Sequence, residues 1–234
     1  MSHTFVQSVV EDDEFYTKVD KNTSAEESSR WTIRWTIVLM DRASRFIWEL
    51  SCGKKDKALF KTAIKRLAEL IEQTEDLTLV TDGERRYGKI LFEICHERLR
   101  TGKIGRPRKT LKKGVTVRVK NKGSQTHKKG RKKSRYQTTC LLHPETSNNI
   151  SDNETHTNHV EANNSAMRQK CSAYIKKTNT YAKLKPGLQR ILNVYWVLHN
   201  YVRTHFTTKA VPAVSLGIVE RGLNLETLFS IQYV

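Results

Sequence analysis

Between Arg98 and Arg135 the chain has no aspartate or glutamate, although 17 of the residues there are lysine or arginine. That one-sided stretch carries almost the whole charge imbalance. The full sequence holds 42 basic and 24 acidic side chains, net +18, and without the stretch 25 basic residues face 24 acidic ones. A concentrated positive segment on a nearly neutral body attracts a polyanion, and nucleic acid is the expected partner through phosphate contact and counterion release. Cysteine is also scarce. Cys52, Cys95, Cys140 and Cys171 stand far apart with no C-x-x-C pair. This pattern argues against a cysteine zinc cluster and suits reduced thiols in the cytoplasm. No apolar run approaches the roughly 20 residues that span a bilayer, so no membrane segment is expected. The opening MSHTFVQSVVEDDEF has no basic region followed by an apolar one, so no secretory signal is expected there. No internal repeat is present.

The remaining sequence supports a core. Hydrophobic residues make up 37% of the chain and the mean hydropathy is −0.61, which is workable if a polar segment lies outside the packed body. VQSVVEDDEFYTKV (6–19), WTIRWTIVLMD (31–41) and RFIWELSCG (45–53) are rich in β-branched and aromatic residues and predict an antiparallel three-strand meander. From Asp56, a capping residue, Leu59, Phe60, Ala63, Ile64, Leu67, Leu70 and Ile71 form one helical stripe. LTLVTDG (77–83) predicts a central parallel strand after that helical crossover, and GKILFEICHERL (88–99) a second helix. Within the basic segment VTVRVKNKG (115–123) predicts an edge strand, and a polar linker, 143–155, follows. Helices are expected over 156–177 and from Pro186 to about 205, with short helices in the tail. The expected fold class is α/β, a mixed sheet flanked by helices. The expected organisation is one domain over 1–206, with 98–155 inserted in it, and a tail, 207–234.

Three acids stand out by position. Asp13 lies inside the first strand, Asp82 at the C-terminal end of the parallel strand, and Glu161 on a later helix. Open α/β sheets place their sites at such strand ends. Each acid alone has a plain explanation: a turn at Asp82-Gly83, an exposed edge at Asp12–Glu14, a solvated helix face at Glu161. Asp12 and Asp13 point to opposite faces of a strand, so one of them enters a shared site. On the later helix Asn164 and Arg168 fall on the side of Glu161 by the i, i+3, i+7 rule. Cys140, His143, His156 and His159 faintly echo zinc-ligand spacing, but the closing histidine pair is too tight.

Together the strings resemble a family. DEFYTKV (13–19) is similar to the opening motif of DDE-type insertion-sequence transposases related to the first-described insertion element. LVTDGERRY (79–87) resembles their second-aspartate segment, and HVEANNSAMRQKCSAYIKKTNTYAK (159–183) their glutamate helix. The resemblance covers roughly 8–206 and implies a ribonuclease H-like fold. It implies Asp13, Asp82 and Glu161 as catalytic ligands of two Mg²⁺ (or Mn²⁺) ions, used for strand cleavage and then 3′-hydroxyl transfer. Asn164, Arg168, Lys176 and Lys177 would contact DNA. So would Arg106, Arg108 and Lys109, in a GRPRK string similar to minor-groove hooks, and Lys128, Lys129, Arg131, Lys132 and Lys133. The implied partners are element ends and target DNA, a further copy of the chain in synapsis, and an N-terminal DNA-binding half from an upstream frame. The chain departs from compact relatives in the 78 residues that separate Asp82 from Glu161.

Overall fold

Apolar and polar residues alternate along the first half of the chain, and the backbone answers with strands that bury two different faces. The computed structural model describes residues 5–19, 32–100, 104–120, 140–142, 155–175 and 182–230. β1 (Phe5–Val19), β2 (Thr32–Asp41) and β3 (Ile47–Gly53) form the antiparallel meander. α1 (Lys57–Ile71) crosses over to β4 (Thr74–Thr81), which pairs parallel with β1. Asp56 caps α1 by accepting the Leu59 N–H at 3.1 Å. After α2 (Arg86–Ile94), β5 (His96–Leu99) and β6 (Arg108–Leu111) make a separate two-stranded ribbon. β7 (Val115–Val119) joins the main sheet parallel to β4, and β8 (Cys140–Leu142) closes its edge. The six-stranded order is β3-β2-β1-β4-β7-β8. α3 (Asn158–Lys170), α4 (Lys185–Val197), a π-helical turn (Leu198–Val202), α5 (Pro212–Ser215) and α6 (Leu225–Ser230) complete the described chain.

Helices cover both faces of the sheet. On one face Val10, Ile37, Leu39, Leu77, Leu79, Val115 and Val117 pack against the apolar stripes of α1 and α2. On the other, Phe15, Val19, Val38, Met40 and Leu50 pack against α3 and α4. Each large side chain so buried contributes about 1.5–3 kcal/mol. The period of two therefore sends even-numbered β1 residues to α1/α2 and odd-numbered ones to α3.

Four sequence expectations need correction. The helix expected over 88–99 stops at Ile94, because His96–Leu99 pairs with Arg108–Leu111. The strand expected at the edge is internal: β7 is buried throughout and β8 lies outside it. Gly114, at φ 82°, makes that placement possible, since a Cβ there would meet the Glu75 carbonyl oxygen at 2.1 Å. The helix expected over 156–177 ends at Lys170, with a single 3₁₀ turn at Ser172–Tyr174. The helix expected to run from Pro186 to about 205 becomes π-helical at Leu198 and ends at Val202. Among the described residues, no helix is long and apolar enough to cross a membrane.

Candidate active site

Parallel pairing of β1 with β4 sets Asp12 opposite Thr81, the last residue of β4. Asp82 follows at once, beside Asp13 by continuation of that register. Gly83, at φ 78°, then turns the chain away. On the far side the Lys120 N–H donates to the Thr81 carbonyl at 2.8 Å, so the end of β7 borders the same spot.

α3 lies along the odd face of β1. The N–H groups of His159 and Val160 donate to Glu11 Oε2 at 3.0 and 3.1 Å. Asn164 Nδ2 donates to Asp13 Oδ2 at 2.9 Å. The Arg168 guanidinium lies 5.2 Å from the centre of the Phe15 ring. The Thr17 hydroxyl donates to the Ala173 carbonyl at 2.7 Å. Two strand residues advance about 6.7 Å and four helix residues about 6 Å, so contacts recur along both elements. This match explains the amide and guanidinium spaced along α3. Glu161 sits one residue round the helix from Val160. Its Oε1 accepts from the Thr157 hydroxyl at 2.8 Å and lies 3.5 Å from Lys120 Nζ.

Glu11 fixes α3 in place. Thr157 precedes the helix but spends its hydroxyl on Glu161, so the fully buried Glu11 carboxylate caps the helix from β1 instead. Arg42 ties the two elements together, with Nε donating to Glu11 Oε1 and Nη2 to the His156 carbonyl, both at 2.7 Å. Glu11, His156 and His159 offer ligand atoms within 4.8 Å of one another. Two backbone N–H groups and Arg42 already draw on that carboxylate, which makes capping its first role.

Three consecutive acids have three environments. Asp12 faces α1/α2 and is 1% exposed, and its Oδ2 has no hydrogen-bond partner. Burial first, then Glu14, Asp13, Asp82 and Glu84, push its carboxyl well above the usual range. Asp13 faces α3. Burial, opposed by the Asn164 hydrogen bond and reinforced by Glu14 and Asp82, raises it to about 6. Glu14 returns to the α1/α2 side, where Lys55 Nζ donates to it at 2.5 Å and the Tyr87 hydroxyl at 3.4 Å. Arg86 holds the neighbouring Glu84 with two bonds of 2.9 and 2.6 Å. Asn164 Oδ1 is buried and, like Asp12 Oδ2, has no hydrogen-bond partner.

Of the acids singled out in the sequence, Asp13 and Asp82 adjoin and share electrostatic influence, and Glu161 reaches the same strand ends through Lys120. Arg168 is exposed above Phe15. Arg106, Arg108 and Lys109 are exposed on or before β6. Lys128, Lys129, Arg131, Lys132, Lys133, Lys176, Lys177 and His143 lie outside the described residues. Sequence reading missed Glu11, Arg42, Lys55 and Lys120. The H-x2-H spacing of His156 and His159 was visible, but nothing local showed that β1 supplies their acidic neighbour. A scan against protein-family models finds no match, and a search of curated proteins finds no similar sequence.

Proposed function

We propose that the chain is the catalytic domain of a DDE-type insertion-sequence transposase with a ribonuclease H-like fold. The α/β sheet, with an antiparallel meander beside parallel strands, is compatible with that fold. The observation that carries the reading is the junction of β1, β4 and α3: Asp82 follows the end of β4 where its pairing with mid-β1 stops, it acts electrostatically on Asp13, and Asn164 of the glutamate helix is bonded to Asp13.

The donor chemistry fits hard divalent cations. Asp13, Asp82 and Glu161 supply only carboxylate oxygens, and Asn164 Oδ1 is a buried acceptor with no hydrogen-bond partner. Burial first, and then repulsion from Glu14 and Asp82, raises Asp13, a burden that added positive charge relieves. Asp13, Asp82 and Glu161 would hold two Mg²⁺ or Mn²⁺ ions, which supply water activation and charge neutralisation at the scissile phosphate. The chain's own groups orient this chemistry. Asn164 and the Glu14 N–H fix the Asp13 carboxylate from two sides. Glu11 and Arg42 set the position of α3, and with it Glu161. Lys120, 3.5 Å from Glu161, offsets its charge. The exposure of Arg168, Arg106, Arg108 and Lys109 supports a role for them in phosphate contact. Element ends and target DNA are the substrates, with a second copy of the chain and an upstream-frame DNA-binding half as partners.

A second reading is a non-catalytic nucleic-acid-binding protein or an inactive remnant. The engagement of Glu161 with Lys120 and Thr157 favours it. The test is a Mg²⁺ or Mn²⁺ cleavage and strand-transfer assay on labelled DNA carrying candidate element ends, with the upstream half added in trans. Metal-dependent products that disappear in Asp82→Asn and Glu161→Gln, with DNA binding kept, support the transposase. Binding without metal-dependent product in the complete system supports the second reading.

A further inference from the structure

A cavity of about 350 Å³ lies on the side of α3 away from the carboxylates, between that helix, the β2–β3 turn and the chain after α4. Its lining includes Arg45, Lys170 and Arg203, together with His159, His205 and Phe206, and no carboxylate. The nearby acids that act on Arg45 are engaged elsewhere. Glu11 is held by Arg42 and the α3 N–H groups, and Asp41 by Ser8 and Ser44. Arg45 Nη1 is buried with no hydrogen-bond partner. Three cationic side chains thus line the cavity with no acid among them, which gives its lining a net positive charge.

Backbone geometry independently marks the same place. Among the described residues, the non-glycine residues with left-handed φ are Arg45 (67°) and Lys209 (55°). Such conformations are uncommon for non-glycine residues and recur at functional sites. Of the two, Arg45 lines the cavity, while Lys209 touches its rim through Phe206, with Nζ 4.1 Å above the centre of the ring. The π-helical turn Leu198–Val202 forms part of the wall, and such turns recur at functional sites. Asn200 pins it to β3, accepting the Ile47 N–H and donating to its carbonyl, both at 2.9 Å. His199, in the same turn, donates Nε2–H to the Arg45 carbonyl at 2.8 Å; burial holds it near 4, so it stays neutral and acts by hydrogen bonding. Phe206 is 84% exposed at the rim, a large apolar ring offered to solvent beside cations.

Cationic floor and exposed aromatic rim together match one chemistry. We propose that this cavity binds a nucleotide unit of a nucleic-acid strand, its phosphate among Arg45, Lys170 and Arg203 and its base on the Phe206 ring. Stacking on an aromatic face with phosphate held by basic groups is how single strands are gripped without sequence preference. The site is separate from the carboxylates and stands whether or not they cut DNA.

Calorimetric titration of the full chain with thymidine 5′-monophosphate, thymidine and inorganic phosphate tests it. The nucleotide is expected to bind about tenfold more tightly than either fragment. Lys170→Gln and Arg203→Gln should each weaken the nucleotide severalfold and leave thymidine unchanged. Phe206→Ala should remove the advantage of the nucleotide over phosphate. A single-stranded oligothymidylate should displace the nucleotide. Lys170, Arg203 and Phe206 are all exposed, so the three variants are expected to fold and report on binding. Equal affinity for thymidine and its monophosphate, or unchanged nucleotide binding in Lys170→Gln and Phe206→Ala, would overturn the proposal. Phosphate binding as tightly as the nucleotide, with no displacement by the oligonucleotide, would overturn it in favour of a free-anion site.

Discussion

Glu14 and Asp13, neighbours on opposite faces of β1, meet different partners. On the α1/α2 face Glu14 meets Lys55 and Tyr87, while Arg86 and Lys55 flank Glu84. Lys55 is itself placed by the Trp35 ring, 3.9 Å away. The charges of Glu14 and Glu84 are neutralised there by groups that belong to the fold, whereas Asp12 on the same face is buried with its Oδ2 unpartnered. On the α3 face Asp13 meets an amide and a backbone N–H, which orient a carboxylate but bring no net positive charge. Such an arrangement leaves the charge to be balanced by something that binds. Along β1 the candidate catalytic Asp13 thus lies between structural acids, Glu11 on its own face held by Arg42 and Glu14 on the opposite face held by Lys55.

Substitutions on the two faces break this comparison in different ways. The largest effect is expected from Asp82→Asn and Glu161→Gln, which should reduce metal-dependent cleavage to background while unfolding curves stay close to the parent. Glu14→Gln, on the opposite face, should keep cleavage within about tenfold and instead lower stability, as loss of a partly buried pair does. Equal loss of activity in Glu14→Gln and Asp82→Asn would erase the distinction between the faces. Next in size is Glu11→Ala, which strips the cap from α3 and leaves Arg42 unbalanced. A loss of about 3–5 kcal/mol is expected by chemical denaturation, with reduced cleavage per folded molecule. Leu67→Ala, fully buried on α1, should cost a similar 2–5 kcal/mol yet leave the rate per folded molecule unchanged.

Sequence reading followed the parts of this fold that repeat locally. The stripe from Leu59 to Ile71 and the alternation along β1 and β2 have fixed periods, and the structure keeps them. It failed where a distant strand overrode local pattern. His96–Leu99 left its helix because Arg108–Leu111 supplied hydrogen bonds, and Val115–Val119 moved inward because Cys140–Leu142 covered it. At the candidate site Asp13 drew attention as an acid inside a strand, Asp82 as one at a strand end and Glu161 as one on a helix. Glu11 did not, because a buried acid that caps a helix 148 residues away leaves no local trace. Lys120 was hidden among so many other lysines in the basic stretch, although its ammonium faces Glu161.

The smallest expected effect separates the faces most sharply, because its sign is unusual. Asp13 is raised to about 6 in the fold, above its value in an unfolded chain. The folded form therefore binds a proton more tightly. Stability is greatest below the unfolded value near 4, declines as pH rises towards 6, and stays reduced above that. Asp13→Asn removes the penalty. The variant should be more stable than the parent by about 1–2 kcal/mol at pH 8, and no more stable at pH 4. Mg²⁺ should raise the parent's melting temperature at pH 8, raise it less at pH 5 where the proton competes, and leave the variant unchanged. A residue whose removal stabilises the fold while abolishing cleavage is held in place for function at the expense of stability. If thermal melts show Asp13→Asn destabilised equally at both pH values, Asp13 is a structural acid like Glu14, and the two faces of β1 do not differ.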